Sequence, residues 1–237
     1  MRPLTVLELR HAELEPPAAY GPALAELARV DTVRVWQEPL PADPAGYDAI
    51  VTMGGSMGVG DAHRLPWIAD EIAFLRRAVD ADVPVWGVCL GSQFLAAALG
   101  ARVVTGETPE IGVYTVALTP AGRADPVWGG LDVAEFDSVQ WHFDTFDLPA
   151  GATLLATSAA YPHQLYRYGR SYGVQFHLEA GGALVTRWLG DGSGDALRSI
   201  VGDAAIDRFP TNAGTAESFT APAAAAVMRR WLEQIAE

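Results

Sequence analysis

The run Pro84-Val85-Trp86-Gly87-Val88-Cys89-Leu90-Gly91-Ser92-Gln93 carries the only cysteine of the chain from an apolar strand, through a glycine-flanked turn, into a helix. A Gly-x-Cys-x-Gly turn has the mechanics of a nucleophile elbow, because small residues two before and two after the nucleophile let the backbone bend and lift the side chain clear of the sheet edge. The helix that follows presents unpaired N–H groups and a positive dipole end, which favour a thiolate over a thiol. Two readings stand open on this stretch alone: Cys89 is a nucleophile, or it is a small buried hydrophobe, as free cysteines often are.

Working outward, Leu4 to Leu9 reads as a strand, Ala23 to Ala28 as a helix, and Val33 to Trp36 as a second apolar segment. Ala49 to Met53 is a strand ending in Gly54-Gly55. Pro66 to Val79 is a helix with Ile68, Ile72, Phe74 and Leu75 on one side. The helix after Cys89 ends near Leu99-Gly100. Strands alternating with helices imply a parallel sheet, whose sites tend to lie outside the carboxyl ends of the strands, so Gly54-Gly55 and Cys89 are placed to meet. From Arg102 to Phe176 the pattern changes to short strands, at Val113 to Leu118, Glu135 to Trp141, Thr153 to Thr157, Gln164 to Tyr168 and Tyr172 to Phe176. This half is expected to be mixed or antiparallel. Beyond Gly181 the chain reads as helices, the clearest being Ala221 to Ala236, with Val227, Met228, Trp231, Leu232 and Ile235 on a stripe expected to pack on the body. No charge shift, repeat or linker divides the 237 residues, so residues 1–237 are expected to form one domain, with a core at 1–180 and a helical extension at 181–237.

The formal charge of -13, with arginine as the only cationic side chain besides histidine, argues against nucleic acid as a partner. A single cysteine forms no intrachain disulfide, and Met1-Arg2-Pro3-Leu4 lacks the apolar run of a signal peptide, so the expectation is cytoplasmic. The uncharged stretch Val83 to Ala101 contains Pro84, three glycines, Ser92 and Gln93, and reads as a buried strand, turn and helix rather than a membrane span. His11, His63, His142 and His163 have no metal-ligand spacing, and no Lys-Ser/Thr follows Gly54 to Gly60, so neither a metal, a bound nucleotide nor another cofactor is expected.

A cysteine nucleophile needs a base and a group that orients the base. In Tyr172-Gly173-Val174-Gln175-Phe176-His177-Leu178-Glu179, alternation sends His177 and Glu179 to the same face, so Glu179 can hold one imidazole nitrogen while the other faces Cys89. The alternative for a lone histidine at a strand end is a structural or surface role.

Taken together, Gly87 to Gln93 and Gly173 to Glu179 resemble the two signature motifs of the class I glutamine amidotransferases, Gly-(Val/Ile)-Cys-Leu-Gly-His-Gln and Gly-Val-Gln-Phe-His-Pro-Glu. The resemblance extends to Met53-Gly54-Gly55-Ser56-Met57-Gly58 as a glycine-rich oxyanion loop and to Trp141-His142-Phe143-Asp144 as a substrate-contacting segment, covering about residues 4 to 180. It is nearest to free-standing members similar to the amidotransferase domain of GMP synthase. It implies an open, mostly parallel twisted sheet with helices on both faces, flavodoxin-like, with a smaller antiparallel region. It further implies Cys89 as nucleophile, His177 as general base and then acid, Glu179 as the orienting carboxylate, the backbone amides of Gly55 and Leu90 as oxyanion donors, and Gln93, Trp141 and Phe143 as substrate contacts. Three positions depart from the pattern: Ser92 replaces a histidine, Leu178 a proline, and Phe143 a residue that is glycine in many members. The departures spare every catalytic atom, and Phe143 reshapes the space for a small α-amino-acid head.

The implied function is hydrolysis of a γ-glutamyl amide, either glutamine or a γ-glutamyl conjugate, through a cysteinyl thioester. One alternative is a glutaminase subunit that delivers ammonia to a separate synthetase. An alternative of another class is a binding or regulatory protein that keeps the fold without turnover. No membrane partner is expected.

Overall fold

The computed structural model describes residues 3–237, the side chain of Ser193 excepted; Met1 and Arg2, at the start of the segment read for a leader, lie outside the described residues. The first half builds β1 (Leu4–Arg10), α1 (Gly21–Leu27), β2 (Ala28–Arg34), β3 (Ala49–Thr52), α2 (Pro66–Asp80), β4 (Val85–Val88) and α3 (Leu90–Ala98). Then follow β5 (Val103–Leu118), a short α4 (Pro120–Arg123), β6 (Glu135–Phe146), β7 (Thr153–Thr157), β8 (Leu165–Tyr168) and β9 (Ser171–Val174). The chain ends in α5 (Gly182–Trp188), α6 (Gly194–Val201) and α7 (Asp203–Ala236).

The nine strands of the described residues form one mixed open sheet in the order β2-β1-β3-β4-β9-β8-β7-β5-β6. Pairing is parallel from β2 to β9 and antiparallel from β9 to β6, so the antiparallel region continues the parallel one. β3, β4 and β9 are buried at every position, as expected for parallel strands covered on both faces. On one face Val6, Val51, Trp86 and Val88 pack against α1 and α7; on the other, Leu7, Ile50 and Val85 pack against α2 and α3. Val227, Met228, Trp231 and Leu232 of the C-terminal stripe are buried in the first of these layers, and Ile235 packs at its margin.

Several elements differ from the sequence expectation: β2 begins at Ala28 rather than Val33, β6 runs on past Trp141 to Phe146, and β9 stops at Val174 rather than Phe176. β5 starts at Val103 rather than Val113, its register shifting between Thr105 and Glu110, where a bulge hides the alternation. α7 runs 34 residues with Pro210 and Pro222 inside it, one continuous helix where several were expected beyond Gly181, the clearest at Ala221 to Ala236. A proline removes one N–H from a helix interior, but Ile206, Phe209 and Ala213 before the second proline, and Ala223, Ala224 and Val227 after it, are buried and keep the helix against the sheet. No described helix is long and apolar enough to cross a membrane.

Candidate active site

Four adjacent parallel strands, β1, β3, β4 and β9, deliver at their carboxyl ends His11, Gly54-Gly55, Cys89 and His177, the edge where open α/β sheets place their sites. The bend at Cys89 is sharp: its φ is 48° and ψ -106°, conformations an L residue adopts only under constraint from its surroundings. The flanking glycines make that bend sterically feasible. A Cβ on Gly87 would lie 2.5 Å from the Gly91 carbonyl oxygen, and one on Gly91 would lie 2.2 Å from the Thr52 carbonyl oxygen. The Cys89 amide donates to Val174 of β9 at 2.7 Å, tying the elbow to the strand that leads to His177.

His177 lies beyond β9 and is fixed by the main chain of β6, its amide donating to the Val139 carbonyl at 2.8 Å and its carbonyl accepting from the Ser138 hydroxyl at 3.2 Å. Its Nδ1 lies 2.7 Å from Glu179 Oε1, which leaves Nε2 as the nitrogen available to the neighbouring Cys89. All three side chains are buried. Burial works against a charged imidazole here, but the neighbouring Glu179 and Cys89 charges and hydrogen bonds outweigh it and hold His177 well above the ordinary imidazole value. Trp188 of α5 covers the ring, edge to face at 5.0 Å between centroids. Gln175, two residues upstream, sets its Nε2 3.7 Å from Cys89 Sγ.

The cleft has two lobes that share Gly55, Ser56, Cys89 and Trp141. The narrow one, about 90 Å³, is lined by His177, Glu15, Leu14, Trp188 and Asp191. The wide one, about 410 Å³, is lined by Leu90, Gln93, Phe143 and Asp144, with Ala196, Leu197 and Ile200 of α6 opposite. Among the described residues, neither the Gly55 nor the Leu90 amide donates a backbone hydrogen bond. Gln93 is buried, and its Nε2 donates to Gln175 Oε1 at 3.2 Å. Trp141 brings its carbonyl 3.8 Å from Cys89 Sγ and its ring against Trp188 and Phe209, whereas Phe143 is 37% exposed on the wide lobe alone. Among the described residues no three His, Cys, Asp or Glu side chains are grouped as a metal ion requires.

His11, Glu15, Gln175 and Trp188 enter the site without having been singled out as site residues from sequence. For His11 and Gln175 a signal existed: His11 follows a parallel strand on the same edge as Gly54, and Gln175 stands two residues before His177. Glu15 sits in a loop, and Trp188 reaches the site only because α5 folds back onto it.

A buried cysteine at a strained strand-to-helix bend, paired with a histidine that a carboxylate orients, is the equipment of acyl transfer by a thiol. Residues 23–185 match the family profile described as glutamine amidotransferase class-I, and the chain belongs to that family. It is 36% identical over 150 residues to the glutamine amidotransferase-like protein YfeJ of Salmonella typhimurium, covering 60% of this chain and 61% of that one. To the glutamine-hydrolysing GMP synthase of Thermomicrobium roseum it is 33% identical over 176 residues, 68% of this chain and 30% of the synthase. To the gamma-glutamyl-L-1-hydroxyisopropylamide hydrolase of a Pseudomonas species it is 30% identical over 154 residues, 61% of this chain and 51% of the hydrolase. The chain thus spans less than two thirds of the length of each of these relatives. A crystal structure of a glutamine amidotransferase from Thermotoga maritima superposes with a TM-score of 0.87 at 28% identity, covering 98% of this chain and 100% of that one.

Proposed function

We propose that this chain hydrolyses the γ-glutamyl amide bond of glutamine or of a γ-glutamyl conjugate through a thioester on Cys89. The observation that carries this reading is the meeting of Cys89, bent at φ 48°, with an imidazole whose other nitrogen is 2.7 Å from Glu179. Cys89 Sγ attacks the amide carbon, and the carbonyl electron pair moves onto oxygen, received by the Gly55 and Leu90 amides. As the C–N bond breaks, the His177 proton passes to the leaving nitrogen. Water then gives a proton to His177 and attacks the thioester, releasing glutamate and restoring the sulfur. Leaving amine and water occupy the narrow lobe, which His177 lines, and the glutamyl end lies in the wide lobe against Gln93, Trp141 and Phe143. The likeness to a γ-glutamylamide hydrolase supports both the bond cleaved and a substrate with more than ammonia as its leaving group.

The test is a panel of γ-glutamyl amides assayed for amine release, with mass spectrometry of Cys89 after exposure to 6-diazo-5-oxonorleucine. Turnover of at least one amide, labelling at Cys89, and loss of both in Cys89→Ala support the reading. Wild-type protein with neither turnover nor label overturns it in favour of a non-catalytic protein.

A second reading, a glutaminase subunit passing ammonia to a separate synthetase, is favoured by the likeness to a GMP synthase over a segment that makes up 30% of that protein. Recovery of a synthetase in a pull-down, with glutaminase activity rising on its addition, would select it over the free hydrolase.

A further inference from the structure

His11, the first residue after β1, is placed where neither nucleophile nor base needs it. Its Nδ1 lies 3.1 Å from the Gly54 carbonyl oxygen and its Nε2 2.9 Å from Glu71 Oε2 of α2. Glu71 also accepts from the Thr52 hydroxyl at 2.7 Å, so the anchor is itself tied to β3. Both side chains are wholly shut off from solvent, and the imidazole stacks on Trp67 at 5.6 Å and meets the edge of Phe94 at 5.4 Å. A carbonyl only accepts, so Nδ1 carries a proton and donates to Gly54 whatever the state of the second nitrogen. Burial disfavours charge on this ring, yet Glu71 and the Gly54 carbonyl outweigh it and raise its pKa, consistent with an imidazolium donating to both.

The Gly54 carbonyl and the Gly55 N–H belong to one peptide unit. The described chain has no cis peptide bond, so the two point in opposite directions across that plane. Holding the carbonyl on His11 therefore turns the Gly55 N–H away from His11. Gly55 lines both lobes of the cleft beside Cys89, and its amide has no backbone acceptor among the described residues. We propose that His11 and Glu71 are a positioning pair that locks the Gly54–Gly55 peptide with its N–H facing Cys89, so that this half of the oxyanion site is formed before substrate arrives. The proposal rests on the reading of Cys89 as nucleophile and of the Gly55 amide as an oxyanion donor. His11 touches no reacting atom and acts only through the peptide.

The test is the double variant His11→Phe/Glu71→Gln, in which phenylalanine keeps the ring between Trp67 and Phe94 and glutamine avoids a lone buried carboxylate. Two probes separate oxyanion binding from sulfur reactivity: glutamate γ-semialdehyde, which forms a tetrahedral adduct bearing an oxyanion, and iodoacetamide, which alkylates sulfur without one. With a wild-type circular dichroism spectrum, kcat on the best γ-glutamyl amide is expected to fall by about 10- to 1000-fold, up to the loss of a whole oxyanion donor. KM and the iodoacetamide rate stay within about twofold, and aldehyde inhibition weakens in step with kcat. A folded variant that keeps both kcat and aldehyde affinity overturns the proposal, as does one whose KM and alkylation rate change along with kcat. Should the double variant not fold, Glu71→Gln alone decides: weaker aldehyde binding supports the pair, unchanged binding overturns it. Wild-type protein that 6-diazo-5-oxonorleucine leaves unlabelled at Cys89 overturns the underlying reading instead, and the proposal with it.

Discussion

His177 Nδ1 and Glu179 Oε1 lie 2.7 Å apart across a single residue, Leu178, whose side chain turns the opposite way into the core under the sheet. His177 is bridged to Val139 of β6, and Leu178 and Glu179 form a turn directly beyond it, so the proposed base and its carboxylate are brought together by local geometry while Leu178 packs in the core. Glu179→Gln keeps the packing and removes the largest influence raising the His177 pKa. We expect kcat to fall by roughly a hundredfold, as for the loss of effective general acid–base catalysis. Because His177 is held above its ordinary 6.5, its proton should persist through neutral pH in the wild type, and the midpoint of Cys89 alkylation against pH should move in the variant. An unmoved profile would mean that Glu179 does not set the charge of the base.

The elbow is predicted to be intolerant at Gly91, where a Cβ would enter the Thr52 carbonyl of β3, a backbone atom that cannot step aside. Gly91→Ala should cost about 2 to 3 kcal/mol by overpacking, a fall in Tm of roughly 5 to 10 °C for a chain of this size. Iodoacetamide should alkylate Cys89 much more slowly in the folded variant. Thermal melts and alkylation within error of wild type would refute the steric account.

Glu15 lines the narrow lobe with its Oε2 shut off from water and without a partner. Burial pushes its carboxyl up to about 7, the His177 charge opposing and Glu179 adding. The native state therefore holds the proton more tightly than the unfolded chain, whose carboxyl titrates near 4.5. Stability from this group is greatest below pH 4.5, declines as pH rises to 7, and stays reduced above, by about 3 kcal/mol in all. Glu15→Gln should raise Tm over wild type by more at pH 8 than at pH 5. Equal gains at the two pH values would contradict the assignment.

Trp231 of α7 packs on Trp86 of β4, three residues before Cys89, at 5.4 Å between centroids, and its indole donates to the Arg170 carbonyl at 2.8 Å. Trp231→Ala should destabilise the protein by about 3 to 5 kcal/mol. If kcat/KM at 20 °C falls in parallel with Cys89 alkylation, α7 supports the elbow through β4; if only the chemical denaturation midpoint drops, α7 contributes stability alone.

Much of this molecule is written in short-range pattern. The buried runs of β3 and β4, the glycines at 87 and 91 and the close spacing of His177 and Glu179 are local features, and each specifies a conformation within a few residues of itself. The amphipathic stripe at Val227 to Leu232 likewise determined that a helix would cover the sheet. What the sequence could not decide is everything that depends on elements distant along the chain. The pairing of His11 with Glu71 joins residues 60 apart, and Trp188 reaches the Leu14 carbonyl across 174. The bulge in β5 and the prolines inside α7 obey no local period, because tertiary burial overrides the propensities that pattern reading relies on. Local sequence thus determined that Cys89 would stand at the end of one strand and His177 and Glu179 shortly beyond another. Only the strand order β1-β3-β4-β9 brought those ends side by side and added His11 and Glu15, since contacts of high sequence separation are set by how sheet and helices share one core.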